Sequence, residues 1–126
     1  MVEGSTPSCS TMKLDKYQLA WAAGFFDGEG WTGCVKNGGK RIVRMTVTQN
    51  NSIAEVFRFY SAVGWLGYID EPRITAQGST RYDWETGKFE HAQAVIAMLW
   101  RYLCGRKRKQ AAIAFEEYKK YQASLV

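Results

Sequence analysis

Long apolar runs are missing from this chain. No stretch approaches the roughly 18 apolar residues that a membrane-spanning helix needs, and no charged segment leads into a short apolar one as an export signal would. The expectation is an intracellular protein that is not secreted and has no membrane partner. Cysteine is scarce: Cys9, Cys34 and Cys104 are odd in number, widely spaced and without metal-ligand spacing. That pattern argues for free thiols in a reducing compartment. The single histidine, His91, falls near a helix start, where capping or surface exposure is commoner than catalysis. Proline is nearly absent too, and Pro72 interrupts a strand-like run, which marks a bulge or a sheet edge.

What is present suits one folded core. The 126 residues are 46% hydrophobic and 14% aromatic, enough for one domain and too few for two ordinary ones. Residues 1–14 begin small, polar and aperiodic and read as a flexible tail, which leaves 15–126 as a single domain. A formal net charge of +5 with pI ≈ 9.2 favours an acidic partner such as nucleic acid.

The hydrophobic pattern gives the order of elements. A helix is expected from about Asp15, as its cap, to Asp27. Trp31 to Lys36 and Lys40 to Gln49 read as a hairpin around Asn37-Gly38-Gly39. In the return strand Val43, Met45 and Val47 share one face, while Arg44, Thr46 and Thr48 share the other. Ser52 and Glu55 resemble a capping box that opens a second helix, with Ile53, Val56, Phe57 and Tyr60 on its buried stripe and Gly64 as its stop. Trp65 to Ile74 and Thr80 to Trp84 read as a second hairpin around Gln77-Gly78-Ser79. Helices over Phe89 to Leu103, ended by Gly105, and over Arg106 to Gln122 complete an α+β chain. A sheet with one apolar and one polar face needs helices on the first and solvent or ligand on the second. The tryptophans and tyrosines fall mostly where a core would use them.

Two acids break the local rules. Asp27 and Glu29 lie between glycines at the end of Leu19-Ala-Trp-Ala-Ala-Gly-Phe-Phe-Asp-Gly-Glu-Gly30, the negative end of the first helix. An anion there is unfavourable by roughly 0.3–1 kcal/mol. A divalent cation would remove the conflict, since oxygen ligands suit Mg²⁺. The segment Ala22-Ala-Gly-Phe-Phe-Asp-Gly-Glu-Gly30 resembles the LAGLIDADG motif of homing endonucleases, with conservative changes at the apolar positions. The likeness extends to the order of elements over about Lys16 to Tyr121. It implies the αββαββα fold of that family, with a curved antiparallel four-stranded sheet and, here, an extra C-terminal helix. Only one motif occurs, so the resemblance is to the single-motif, homodimeric type.

The resemblance implies a site-specific endonuclease of double-stranded DNA. As a homodimer it would bind a long pseudo-palindromic target, hydrolyse both strands and leave 3′ overhangs. Glu29 and the Gly28 backbone carbonyl would hold Mg²⁺ or Mn²⁺, with Ca²⁺ as a non-catalytic substitute. Ala23, Gly24, Asp27 and Gly28 would form the helix pair between subunits. Gln49 at the end of Met45-Thr-Val-Thr-Gln49 and Lys107 in Arg106-Lys-Arg-Lys109 match the water-positioning and basic residues of dimeric members, giving Glu29, Gln49 and Lys107 as the catalytic set. Four clustered cations at a helix start oppose its dipole, a cost that DNA phosphates would offset. Arg44, Thr46, Thr48, Arg81 and Asp83 on the polar sheet face would meet base edges in the major groove. Lys36, Asn37, Lys40, Arg41, Arg73, Arg106 and Lys109 would meet phosphate. Such proteins serve intron or intein mobility in a bacterial or phage-host cytoplasm or an organelle. One departure stands out: no Arg follows Gln49 where some dimeric members carry one, since Asn50, Asn51, Ser52 and Ile53 occupy those positions. The alternative is a cleavage-deficient LAGLIDADG protein that binds DNA or RNA as a maturase or regulator. One half of a heterodimer or a split two-domain enzyme is a third reading.

Overall fold

A computed structural model describes residues 14–125; the expected tail, apart from Leu14, lies outside them. The first helix, α1 (Lys16–Glu29), starts where Asp15 turns its carboxylate onto the Tyr17 and Gln18 amides at 2.8 and 3.4 Å, satisfying donors that the first turn leaves free. It buries Leu19, Ala22, Ala23 and Phe26, the spacing of one helical face. It runs two residues further than the sequence suggests. The extended Gly30 closes it by donating its amide to the Phe26 carbonyl. Only glycine fits there, because a Cβ would sit 2.2 Å from the Phe26 ring.

Strands β1 (Gly30–Asn37) and β2 (Lys40–Asn50) form the expected hairpin, with Asn37 opposite Lys40. Gly38 and Gly39 both have positive φ, 60° and 85°, as a type I′ turn requires. Val43, Met45 and Val47 are fully buried, and Arg44, Thr46 and Thr48 face the other way. β2 pairs in turn with β5 (Thr80–Glu85). The run expected as one strand between them is broken at Pro72 into β3 (Tyr68–Ile69) and β4 (Arg73–Ile74), both paired antiparallel with β5. Proline cannot donate to a ladder, so the interruption follows from its missing N–H. The antiparallel sheet runs β1-β2-β5, with β3 and β4 together forming its fourth position.

Helix α2 (Ala54–Ala62) differs from expectation in both its cap and its face. Ser52 bonds the Glu55 side chain at 2.5 Å, while Ile53 occupies the cap position without a side-chain bond. Val56, Phe59 and Ala62 are buried; Ile53 and Phe57 are exposed. The rotation seats Phe59 edge-on against Trp84 at 4.8 Å between ring centres. Gly64 and Trp65, with φ of 74° and 63°, end the helix. Helix α3 (Phe89–Leu99) passes into a 3₁₀ turn, Trp100–Tyr102, and α4 (Gly105–Ser124) follows at once. Gly105 therefore opens the last helix, with Cys104 as its cap, instead of closing the third. Among the described residues the four helices pack on one sheet face, and no helix or strand covers the other.

The Gly67 position is a stringent test of this packing. Its φ is +79°, and an added Cβ would meet the Glu85 carbonyl at 2.7 Å and the Trp84 indole at 2.8 Å. Left-handed backbone alone costs a side chain about 1–2 kcal/mol. Gly67→Ala should lower unfolding free energy by more than about 2 kcal/mol, measured by urea denaturation.

Candidate functional site

The two rule-breaking acids have different fates. The Asp27 carboxylate accepts the Cys104 amide at 3.1 Å, which places it at the positive end of α4 as well as the negative end of α1. Its own backbone carbonyl accepts the Arg106 guanidinium at 3.2 Å. Lys107, only 5% exposed, donates its ammonium to the Gly30 carbonyl and lies 5.8 Å from the centre of the Phe26 ring. Burial, and then the charge of Arg106, hold Lys107 below the ordinary lysine pKa, with Cys104 and Asp27 pulling the other way. Arg108 donates to the carbonyls of Trp100 and Arg101 at 2.8 and 3.1 Å. Three of the four clustered cations are thus engaged by chain carbonyls. Part of the cost expected to fall to phosphates is therefore met within the chain, by the ends of α1 and of the 3₁₀ turn, and Lys109 is left exposed.

Glu29 has no such arrangement. It is the exposed last residue of α1, and among the described residues no cation pairs with it. No group of three His, Cys, Asp or Glu side chains gathers among those residues, so they supply a single free carboxylate here. The register Gly30 to Val47 brings the end of β2 alongside the end of α1. Gln49, half-buried, therefore lies at the same end of the sheet as Glu29 and the Lys107–Gly30 contact.

Beside Glu29, α1 presents an open stripe. Tyr17, Ala20, Gly24 and Gly28 are exposed, at spacings of three and four residues, and a Cβ built on either glycine meets nothing within 4 Å. Ala23 is not part of it. The expected role of Ala23 in a subunit interface is corrected, because the residue is fully buried in its own core. Asp27 likewise turns toward its own α4 and not outward. Ala20 takes the third small position. Its spacing from Gly24 was visible in the sequence, but Ala20 lies outside the nine-residue motif.

The open sheet face carries Trp31 from β1, Arg44, Thr46 and Thr48 from β2, Arg81, Asp83 and Glu85 from β5, and Tyr68 from β3. Trp31 and Tyr68 are each 42% exposed, which corrects the assignment of the aromatics here to the core. Trp31 sits opposite Thr46 and so shares its face, a parity readable from the hairpin. Its indole covers Gly33, where a Cβ would lie 2.1 Å away. Asp83 is also corrected: at 4% exposure it is too deep to meet a base edge. Lys36, Asn37, Lys40 and Arg41 are exposed around the hairpin tip, and Arg73 lies on β4. Lys36 and Arg41 pair with each other and by alternation point toward the helix side. Near Gly67, His91 accepts the Gly67 amide through Nδ1 at 3.4 Å, a loop tether.

No family model matches the chain, and no curated protein matches it in sequence. Solved structures do. The LAGLIDADG meganuclease I-AabMI bound to uncleaved DNA aligns with a TM-score of 0.57 and 19% identity, over 79% of this chain and 36% of that one. A double mutant of I-SmaMI aligns with a TM-score of 0.59 and 20% identity, over 93% and 43%. An archaeal intron-encoded homing endonuclease complexed with DNA aligns at 0.51 and 18%, over 69% and 56%. The chain therefore has the LAGLIDADG endonuclease fold, and it spans between about a third and just over half of the length of these structures. Among the described residues no helix is long and apolar enough to cross a membrane.

The Asp27 bond can be tested directly. Asp27→Ala strips the α4 N-terminus of its carboxylate, and chemical denaturation should show a loss of about 0.5–2 kcal/mol, as for other helix caps.

Proposed function

We propose that this chain is the DNA-binding and DNA-cutting half of a LAGLIDADG homing endonuclease. The observation that carries the proposal is Glu29: a free carboxylate at a helix C-terminus, beside a glycine-lined stripe that a second helix can approach closely. Two chains pair through Ala20, Gly24 and Gly28. Their Glu29 carboxylates then meet near the pair axis, and the open sheet faces form one continuous surface for a long pseudo-palindromic duplex.

Oxygen donors at an exposed position fit Mg²⁺, which typically takes one or two carboxylates together with phosphate oxygens. Glu29 and the Gly28 carbonyl would hold it, or Mn²⁺, with Ca²⁺ binding without turnover. The ion would supply charge neutralisation at the phosphate and a more acidic water. Gln49 orients water, and Lys107, whose ammonium already has a lowered pKa, supplies positive charge beside the scissile phosphate. The products carry 3′ overhangs, consistent with a role in intron or intein mobility. The alternative is a cleavage-deficient binding protein, a maturase or regulator. It draws on one observation: Asn51, near where some dimeric members place an Arg, is spent on structure. Its φ is 62°, and its side chain accepts the Thr80 amide at 3.0 Å.

Glu29→Gln separates these readings. It removes an uncompensated anion from a helix C-terminus, worth roughly 0.3–1 kcal/mol, so the variant should be at least as stable as the parent and still bind duplex. With Mg²⁺ on a duplex selected by the parent chain, parental cleavage should fall by orders of magnitude in the variant. Equal cleavage by both removes Glu29 from the chemistry, and a parent that binds without cutting favours the cleavage-deficient reading. The pairing has its own check. Gly24→Leu fills the stripe, and sedimentation should show a monomer at concentrations where the parent is dimeric.

A further inference from the structure

Each arginine on the polar sheet face has a carboxylate partner. Arg44 lies 3.7 Å from Glu85 and also donates to the Thr86 carbonyl at 3.2 Å. Arg73 pairs with Asp70 at 3.2 Å, and Arg81 with Asp83 at 3.0 Å. These are the ion pairs found among the described residues, and all belong to this face. A surface built only to attract phosphate would leave its arginines unpaired.

The Asp83 pair differs in depth. The Asp83 side chain is 6% exposed, while that of Arg81 is 44% exposed. One carboxylate oxygen accepts both the Thr48 hydroxyl, at 2.5 Å, and the Arg81 Nε, at 3.0 Å. Thr48 and Asp83 are direct partners across the β2–β5 ladder, so the acceptor sits on rigid backbone. Binding at Nε takes one of the five guanidinium N–H donors. It leaves both terminal nitrogens for a ligand, and those nitrogens make the bidentate contact with guanine O6 and N7.

We propose that Asp83 is a positioning residue for sequence readout, holding Arg81 and Thr48 in the geometry that reads one guanine in each half-site. The inference rests on the DNA-binding reading and deepens it. Asp83 touches no base. It also makes binding conditional, because a base pair without guanine at that position leaves Arg81 bound to Asp83 and returns little for desolvating the pair.

The test begins with a duplex that the wild-type chain enriches from a randomised library, each half-site base pair then being changed in turn. Arg81→Ala should erase preference at one base pair per half-site, about tenfold or more. Asp83→Ala should erase preference at that same base pair, and the double variant should go no further than either single one. Thermal midpoints are recorded alongside, since a purely structural role would weaken every duplex equally. Asp83→Asn keeps the shape and an acceptor but removes the charge, so it should keep the preferred base with a reduced margin. Unchanged preference in the Asp83 variants, loss at a different base pair, or uniform weakening overturns the proposal. Should Asp83→Ala fail to fold, Asp83→Asn decides: a preference equal to wild type overturns it. A wild-type chain that enriches no duplex removes the DNA reading and this inference together, whereas enrichment with indifferent Asp83 variants removes the inference alone.

Discussion

Everything at the candidate site depends on the junction between the C-terminal end of α1 and the N-terminal end of α4. Opposite helix ends carry opposite partial charge, and unpaired carbonyls at one end face unpaired amides at the other. Here Asp27 answers the Cys104 amide, Arg106 answers the Asp27 carbonyl, and Lys107 answers the Gly30 carbonyl. Each group settles an otherwise unfavourable charge or an orphaned dipole on its neighbour. The junction fixes where α1 stops, and so where Glu29 emerges.

That arrangement separates structure from chemistry within three residues. Asp27 is committed inward, Gly28 leaves the helix surface bare, and Glu29 stands free. A carboxylate held at a helix C-terminus without a cation partner among the described residues is a local cost, and it is the cost that a shared cation would relieve. The sheet face follows a related logic. Its arginines are held by carboxylates instead of being left to phosphate, and the most exposed of these pairs, Arg73 with Asp70, adds only about 0–1 kcal/mol of stability. Their value is in fixing side-chain geometry.

Much of this was legible in the residues. Alternation through Val43, Met45 and Val47 placed the sheet's two faces, and Asn37-Gly38-Gly39 placed its first turn, because both signals are local. Asp15 marked the start of α1 for the same reason. The failures were non-local. The face of α2 was misread in part: Val56 and Tyr60 pack as expected, but only the position of Trp84 shows that Phe59, and not Phe57, must point inward. Ala23 looked like an interface residue because the motif could not show which small residues the chain's own core consumes. The basic cluster at Arg106 to Lys109 looked costly because the carbonyls that receive it lie about eighty positions away in sequence for Arg106 and Lys107. Asp83 could be put on the correct face by parity, but not at its depth.

The proposed pairing makes one chain half of a working unit. The most direct measurement is the mass of the complex between the full chain and its selected duplex, by light scattering or sedimentation. Two chains per duplex, bound without a populated one-chain complex at low occupancy, is the result this account requires. A stable complex of one chain on one duplex would contradict it.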